Sequence, residues 1–293
     1  MTRLHVLLGC LFFRNFTGSE LYVYELARGL RRLACDVSVI ALKPGGRLAP
    51  MAEAEGIAVH SFANPPITSR IDVIHGQHTP AVERLVRLFP DTRQICTIHS
   101  EVLALEDPVR HPAIRRYIAI RPEIKVRLVG HFQIPESMVE VIYNPIDETR
   151  FNTRDTVQED ALLFAGTLDP LRQATILDLV AFTREQRQAL WLVGKNHSDY
   201  LEQVLAHPHV THHTPTYHVE TLTKRCAETA GILLGRTTIE GWMCGKPGWI
   251  YTVDADGRIL DRRRHEPPLD TSQFHAMHVA ARIRGEYDRL VTA

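Results

Sequence analysis

The chain has 293 residues, 44% of them apolar and 23% charged, which suits a water-exposed globular protein of two ordinary domains. Lys plus Arg and Asp plus Glu both number 34, so no global basic field exists for nucleic acid or anionic lipid. The five cysteines, at 10, 35, 96, 226 and 244, are odd in number and without a Cys-x-x-Cys pair, which predicts reduced, buried thiols and a cytoplasmic setting.

Leu4–Leu8 predicts a first buried strand, and the apolar run that continues to Phe13 is too short for a membrane span and has no signal-peptide cleavage site. Peripheral membrane contact stays open. A glycine-bearing loop follows, and apolar residues recur at helical spacing over Ser19–Leu33. Strands are predicted at Val37–Leu42, Gly56–Phe62, Val73–His75, Ile95–His99, Ile114–Ile120 and Val139–Tyr143, with helices at Pro80–Phe89 and Glu123–Val129. Such βα alternation predicts a parallel sheet covered on both faces.

Asn144-Pro145-Ile146-Asp147 and the polar stretch Thr153–Asp160 read as a linker, after which the pattern restarts. Strands are predicted at Leu162–Ala165, Ala189–Val193, Gly231–Leu234 and Ile250–Val253. Helices are predicted at Thr175–Phe182, Tyr200–Leu205, Val219–Thr229 and Thr271–Val291, and the charged Arg258–His265 reads as loop. The expected fold class is α/β, with two Rossmann-like doubly wound domains at 1–150 and 151–270 and a last helix over 271–293.

The segment Gly235-Arg-Thr-Thr-Ile-Glu240 carries the most chemistry. A helix opening at Thr237 or Thr238, capped by either, would present main-chain N–H groups and a positive dipole end suited to a phosphate. Glu240 in its first turn could accept hydrogen bonds from two adjacent sugar hydroxyls. The competing reading is an ordinary strand–turn–helix unit that binds nothing. Histidines at 197, 207, 209, 212, 213 and 218 invite a metal site, but the segment reads as loop and strand rather than as a helix that would set two histidines on one face, and no metal is expected.

Five segments taken in order resemble one family. Thr17-Gly-Ser-Glu20 with Tyr24-Glu-Leu-Ala27, then Ile71-Asp-Val-Ile-His75, Val141-Ile-Tyr-Asn-Pro-Ile-Asp147, Leu163-Phe-Ala-Gly-Thr-Leu-Asp169 and Ile239-Glu-Gly-Trp-Met-Cys-Gly-Lys-Pro247 are similar to the retaining GT-B glycosyltransferases of family 4. The resemblance implies two Rossmann-like domains around a cleft and a final helix returning to the first domain. It also implies metal-free, retaining transfer from a nucleoside-diphosphate sugar, with no cofactor besides that donor. It places Gly18, Arg172, Gly235, Arg236, Thr237, Thr238 and Glu240 against the donor, and His99 as the catalytic histidine beside the donor sugar. At the level of residues alone, His99 reads equally as a satisfied core histidine. Family members carry an arginine where this chain has Thr167 and a second glutamate where it has Ile232, so Arg236 is expected to supply the missing positive charge. The acceptor, whether glycan, lipid-linked or small molecule, does not follow, and no nucleic-acid partner is expected. A catalytically degenerate subunit of a glycosylation complex and a nucleotide-sugar epimerase stay as alternatives.

Overall fold

The computed structural model describes residues 3–66 and 70–292, and the chain divides into two compact units. The first comprises residues 1–15, 19–145 and 273–293, and the second residues 16–18 and 146–272.

The first unit contains β1 (His5–Phe13), α1 (Gly18–Arg32), β2 (Asp36–Pro44), α2 (Leu48–Ala54), β3 (Ala58–Ser61), β4 (Val73–Gln77) and α3 (Thr79–Leu88). It continues through β5 (Gln94–Ile98), β6 (Ile114–Ala119), α4 (Pro122–Gly130) and β7 (Val139–Val141). Its sheet is parallel throughout, in the order β3-β2-β1-β4-β5-β6-β7. The central strands are buried on both faces, which is why β1 and β2 read as continuous apolar runs without alternation.

The second unit contains β8 (Glu159–Ala165), α5 (Gln173–Glu185), β9 (Ala189–Val193), α6 (Tyr200–Leu205), β10 (Val210–His213), α7 (Glu220–Thr223) and β11 (Cys226–Ile232). Then come α8 (Arg236–Met243), β12 (Gly248–Val253) and β13 (Ile259–His265). The sheet order is β10-β9-β8-β11-β12-β13, parallel except for the β12–β13 pair. Leu162, Phe164, Ile176, Leu179, Leu190 and Leu192 form the centre of its core. The last helix, α9 (Ala276–Thr292), belongs to the first unit.

A buried hydrogen-bond chain ties α9 to the first sheet. The Tyr287 hydroxyl lies 2.6 Å from His75 Nδ1, His75 Nε2 lies 2.6 Å from Thr97 Oγ1, and Thr97 Oγ1 lies 3.1 Å from the Tyr22 hydroxyl. Both His75 nitrogens are therefore satisfied, and burial pushes its pKa down to about 3.

Two predicted elements change. The helix expected over Val219–Thr229 is only the four-residue α7. Thr223 Oγ1 returns its hydrogen bond to the Val219 carbonyl, and the chain then enters β11 five residues earlier than predicted. Arg258–His265 is an antiparallel edge strand rather than a loop. Arg262 there lies over Phe182 at 4.6 Å and pairs with Asp178 at 2.7 Å, and Arg264 pairs with Glu228 at 2.7 Å. The short α2 had no counterpart in the prediction. All five cysteines are buried and free. Among the described residues no helix is long and apolar enough to cross a membrane.

Candidate functional site

In the second sheet β8 sits between β9, which follows it in sequence, and β11, which comes later. The connections leave β8 and β11 toward opposite sides, so a crevice opens beyond their carboxyl ends, where open α/β sheets bind ligands. Two segments line it, Gly166–Arg172 after β8 and Leu233–Gly235 leading into α8.

Close packing seats α8 over this crevice. A Cβ on Gly231 would lie 2.9 Å from Thr238 Oγ1, and one on Gly248 would lie 2.7 Å from Thr238 Cγ2. Only glycine at these two strand positions lets the helix approach so near. Thr237 Oγ1 donates to the Ala165 carbonyl at 2.7 Å, which ties the first turn of α8 to the end of β8. The turn before the helix holds Leu233 at φ 57°, a left-handed conformation costly for a branched side chain. Its main-chain N–H donates to the Tyr251 carbonyl at 2.7 Å, and its carbonyl accepts from Gly235 N at 2.8 Å. Strain of this kind concentrates at ligand sites.

Neither threonine caps the helix as predicted. Gly235 is the N-cap, in extended conformation and without a side-chain cap; Thr237 is committed to Ala165, and Thr238 Oγ1 is buried without a partner. A Cβ on Gly235 would meet the Ile232 carbonyl at an ordinary 3.5 Å, so sterics do not demand glycine there. Because α8 opens at Arg236, Glu240 stands in the second turn rather than the first.

Glu240 also has a partner that the prediction lacked. Arg236 Nε donates to its carboxylate at 2.6 Å, with side-chain exposures of only 9% and 4%. Arg172 closes the short turn Pro170–Arg172, where it pairs with Asp169, whose carboxylate also accepts from the Arg172 main-chain N–H at 3.2 Å. The fold thus gathers Arg172, Gly235, Arg236, Thr237, Thr238 and Glu240 around the ends of β8 and β11. Gly18 is the exposed first residue of α1, where an added Cβ would meet nothing within 4 Å.

His99 lies in the first unit, just past β5, in a polar cluster of its own. The first sheet has its reversal of strand order between β1 and β4, and the carboxyl end of β4 carries Gln77 and His78. Gln77 donates from its amide nitrogen to the Ser19 carbonyl at 3.1 Å, which turns its oxygen toward His99 Nε2. His99 Nε2 is therefore the protonated nitrogen, and Nδ1 carries the lone pair. The His99 main-chain N–H donates to Glu106 at 2.9 Å, and the other Glu106 oxygen lies 3.4 Å from His78 Nε2. The His99 ring stacks on His78 at 5.7 Å and meets the Tyr22 ring edge-on at 4.8 Å.

Burial sets the charges of this cluster. It holds His99 well below the ordinary histidine range, aided by His78, His75 and Arg121, and brings His78 down to about 4. It pushes Glu106 up to about 8. At neutral pH the cluster is essentially uncharged, with a protonated Glu106. Gln77, His78 and Glu106 escaped the sequence reading because strand order, not spacing, brings them to His99.

The histidine-rich stretch is dispersed over separate partners. His209 Nε2 faces the Val180 carbonyl at 3.2 Å, His212 Nε2 the Gly194 carbonyl at 2.8 Å, and His218 the Glu220 carboxylate at 3.2 Å. Among the described residues no three His, Cys, Asp or Glu side chains are grouped to hold a metal ion.

The family model for Glycosyltransferase Family 4 matches residues 16–150. No curated protein sequence matches the chain. Among solved structures, HepE from Anabaena, crystallised with UDP-glucose, is similar at 14% identity and TM-score 0.68, over 99% of this chain and 98% of that one. AviGT4, a glycosyltransferase of avilamycin A biosynthesis, aligns at 16% identity and TM-score 0.67, over 99% and 98%. A glycosyltransferase from Rickettsia africae ESF-5 aligns at 14% identity and TM-score 0.66, over 99% and 89%. Two sheet units of this topology and the likeness to these structures give the chain the GT-B fold, and its residues 16–150 are similar to glycosyltransferase family 4.

Proposed function

We propose that the chain moves a sugar from a nucleoside-diphosphate sugar to an acceptor hydroxyl, with retention at the anomeric carbon and without a resident metal. The observation that carries this reading is the buried Arg236–Glu240 pair at the start of α8, over the crevice beyond β8 and β11. A helix start leaves main-chain N–H groups without intrahelical partners and presents the positive end of the dipole, so a diphosphate finds donors there. The Arg236 guanidinium adds a fixed positive charge, and the Glu240 carboxylate, held by Arg236, accepts from adjacent ribose hydroxyls. Departure of the nucleoside diphosphate is the charge-developing step, and preorganised donors at the phosphate lower its barrier.

In the first unit His99 supplies a neutral imidazole with its lone pair on Nδ1, able to accept from a sugar hydroxyl rather than to deliver a proton. HepE was crystallised with UDP and UDP-glucose, which makes uridine-diphosphate sugars the first donors to test. The test is nucleoside-diphosphate release from a panel of nucleotide sugars in the presence of acceptor hydroxyls, with and without EDTA, and with anomeric configuration read by NMR. Release that survives EDTA with a retained anomeric centre supports the proposal. An inverted product, or release that requires a divalent ion, contradicts it.

A further inference from the structure

The opposite edge of the second sheet, away from the donor crevice, holds a cavity that the proposed transfer does not use. It has a volume of about 700 Å³, within the range of small-molecule sites, and lies wholly in the second unit. Its walls come from the amino ends of β8, β11 and β12, the carboxyl ends of α5 and α8, and the far end of β13. The seven residues of β11 separate the two edges by about 20 Å at the usual strand rise.

Four polar side chains of this cavity lack internal partners. The side chains of Gln158, Asp160, Gln186 and Gln188 all line it, and among the described residues none makes a hydrogen bond or ion pair. Gln188 is only 8% exposed, so its amide meets solvent chiefly through the cavity. Lys246, just past α8, is 7% exposed, and its ammonium has one long hydrogen bond, 3.4 Å to the Val157 carbonyl. A buried ammonium carries three donors and favours more acceptors than that. Trp249 adds an apolar wall, its indole oriented by a 2.7 Å bond from Nε1 to Glu228.

This lining selects a ligand class. Carboxamides both donate and accept, as sugar hydroxyls do, so three of them beside a carboxylate and an ammonium match a polyhydroxyl surface. An anion is disfavoured by Asp160, Glu228 and Glu266, because Arg264 is already engaged by the last two. A simple cation is disfavoured by Lys246. We propose that this cavity binds an uncharged carbohydrate, at a second site on the opposite edge of the sheet from the donor crevice. The proposal goes beyond the transfer reaction and does not depend on it.

The test uses the full chain and a panel of neutral oligosaccharides (maltose, cellobiose, chitobiose and mannobiose), free and attached to a short lipid, titrated calorimetrically with and without saturating UDP. The expected result is saturable binding of at least one sugar that UDP does not displace and that weakens at least tenfold in Gln158→Leu/Gln186→Leu. Both positions are exposed, so an unchanged melting temperature certifies the fold of that variant. Equal affinity for free and lipid-attached forms identifies a free glycan as the source, whereas tighter binding of the attached form identifies a lipid-linked one. Binding of no sugar, binding displaced by UDP, or binding unchanged in the double variant overturns the proposal. A chain that binds no nucleotide sugar but still binds oligosaccharide here refutes the transfer reading alone.

Discussion

Arg236 and Glu240 face each other across one turn of α8, with Nε 2.6 Å from the carboxylate and both side chains buried. Burying two charges is compensated only by good geometry, and removal of one partner leaves the other charge uncompensated. Arg236→Ala is expected to lower nucleotide-sugar affinity by more than tenfold and to destabilise the fold by about 3 kcal/mol. Arg236→Lys should restore part of the stability but little of the affinity, because an ammonium lacks the planar fork. Calorimetric titration beside chemical denaturation separates the two effects. Affinity equal to wild type in Arg236→Ala removes the arginine from the donor site.

The Tyr287–His75–Thr97–Tyr22 chain holds α9 to the first sheet. Tyr287→Phe deletes one hydroxyl and leaves His75 Nδ1 buried without a partner, at an expected cost of about 1–3 kcal/mol. Hydrogen exchange should then show α9 opening more readily than the rest of the unit. A cost near zero would mean that water replaces the hydroxyl.

Two buried groups give opposite pH dependences. His75 has a folded pKa of about 3, below the ordinary 6.5, so the unfolded chain binds more protons between these values. Its contribution to stability is complete above pH 6.5 and is lost as pH falls toward 3, by up to about 1.4 kcal/mol per pH unit. Glu106 is raised from 4.5 to about 8, so its contribution is present below 4.5 and lost as pH rises through 8. Glu106→Gln should therefore gain stability relative to wild type as pH rises from 5 to 8. His75→Gln should flatten the acid limb between pH 6.5 and 3. Urea denaturation across this range measures both slopes, and parallel wild-type and variant profiles would contradict the assigned charge states.

The close seat of α8 is tested at Gly231. An alanine Cβ there would sit 2.9 Å from Thr238 Oγ1, and overpacking of this kind costs about 1–3 kcal/mol. The double variant Gly231→Ala/Thr238→Ala removes the clashing hydroxyl and should recover much of that loss, a non-additivity expected of touching residues. Strict additivity would mean that the helix shifts instead.

Much of the fold is readable from local patterns. Ala189–Val193 and Tyr200–Leu205 have the boundaries that the apolar pattern predicts, because short turns delimit each. The edge strand β13 was not readable. Its arginines look like a solvated loop until Phe182, Trp249 and Asp178 supply the surface against which Arg262 lies. The Val219–Thr229 segment reads as one helix in sequence, but its last four residues, from Cys226 to Thr229, are committed to β11 by pairing with β8 and β12. At the candidate site, the order of motifs pointed to Gly235–Glu240, whereas the Arg236–Glu240 pair was a missed local signal, since residues four apart on a helix are neighbours. The surroundings of His99 had no local signal. Gln77, His78 and Glu106 reach it only through the parallel register of β4 and β5 and the fold of the loop after β5.

The central claim is that the crevice beyond β8 and β11 binds a nucleoside-diphosphate sugar through Glu240. Its most direct test is the melting temperature of wild type and Glu240→Gln, measured against a panel of uridine, guanosine, adenosine and thymidine diphosphate sugars. Ligand binding stabilises the folded state by mass action, about 2.7 kcal/mol at a hundred times the dissociation constant. One nucleotide is expected to raise the wild-type melting temperature in a concentration-dependent way, and the shift is expected to disappear in Glu240→Gln. No shift with any nucleotide sugar, or an equal shift in the variant, would contradict it.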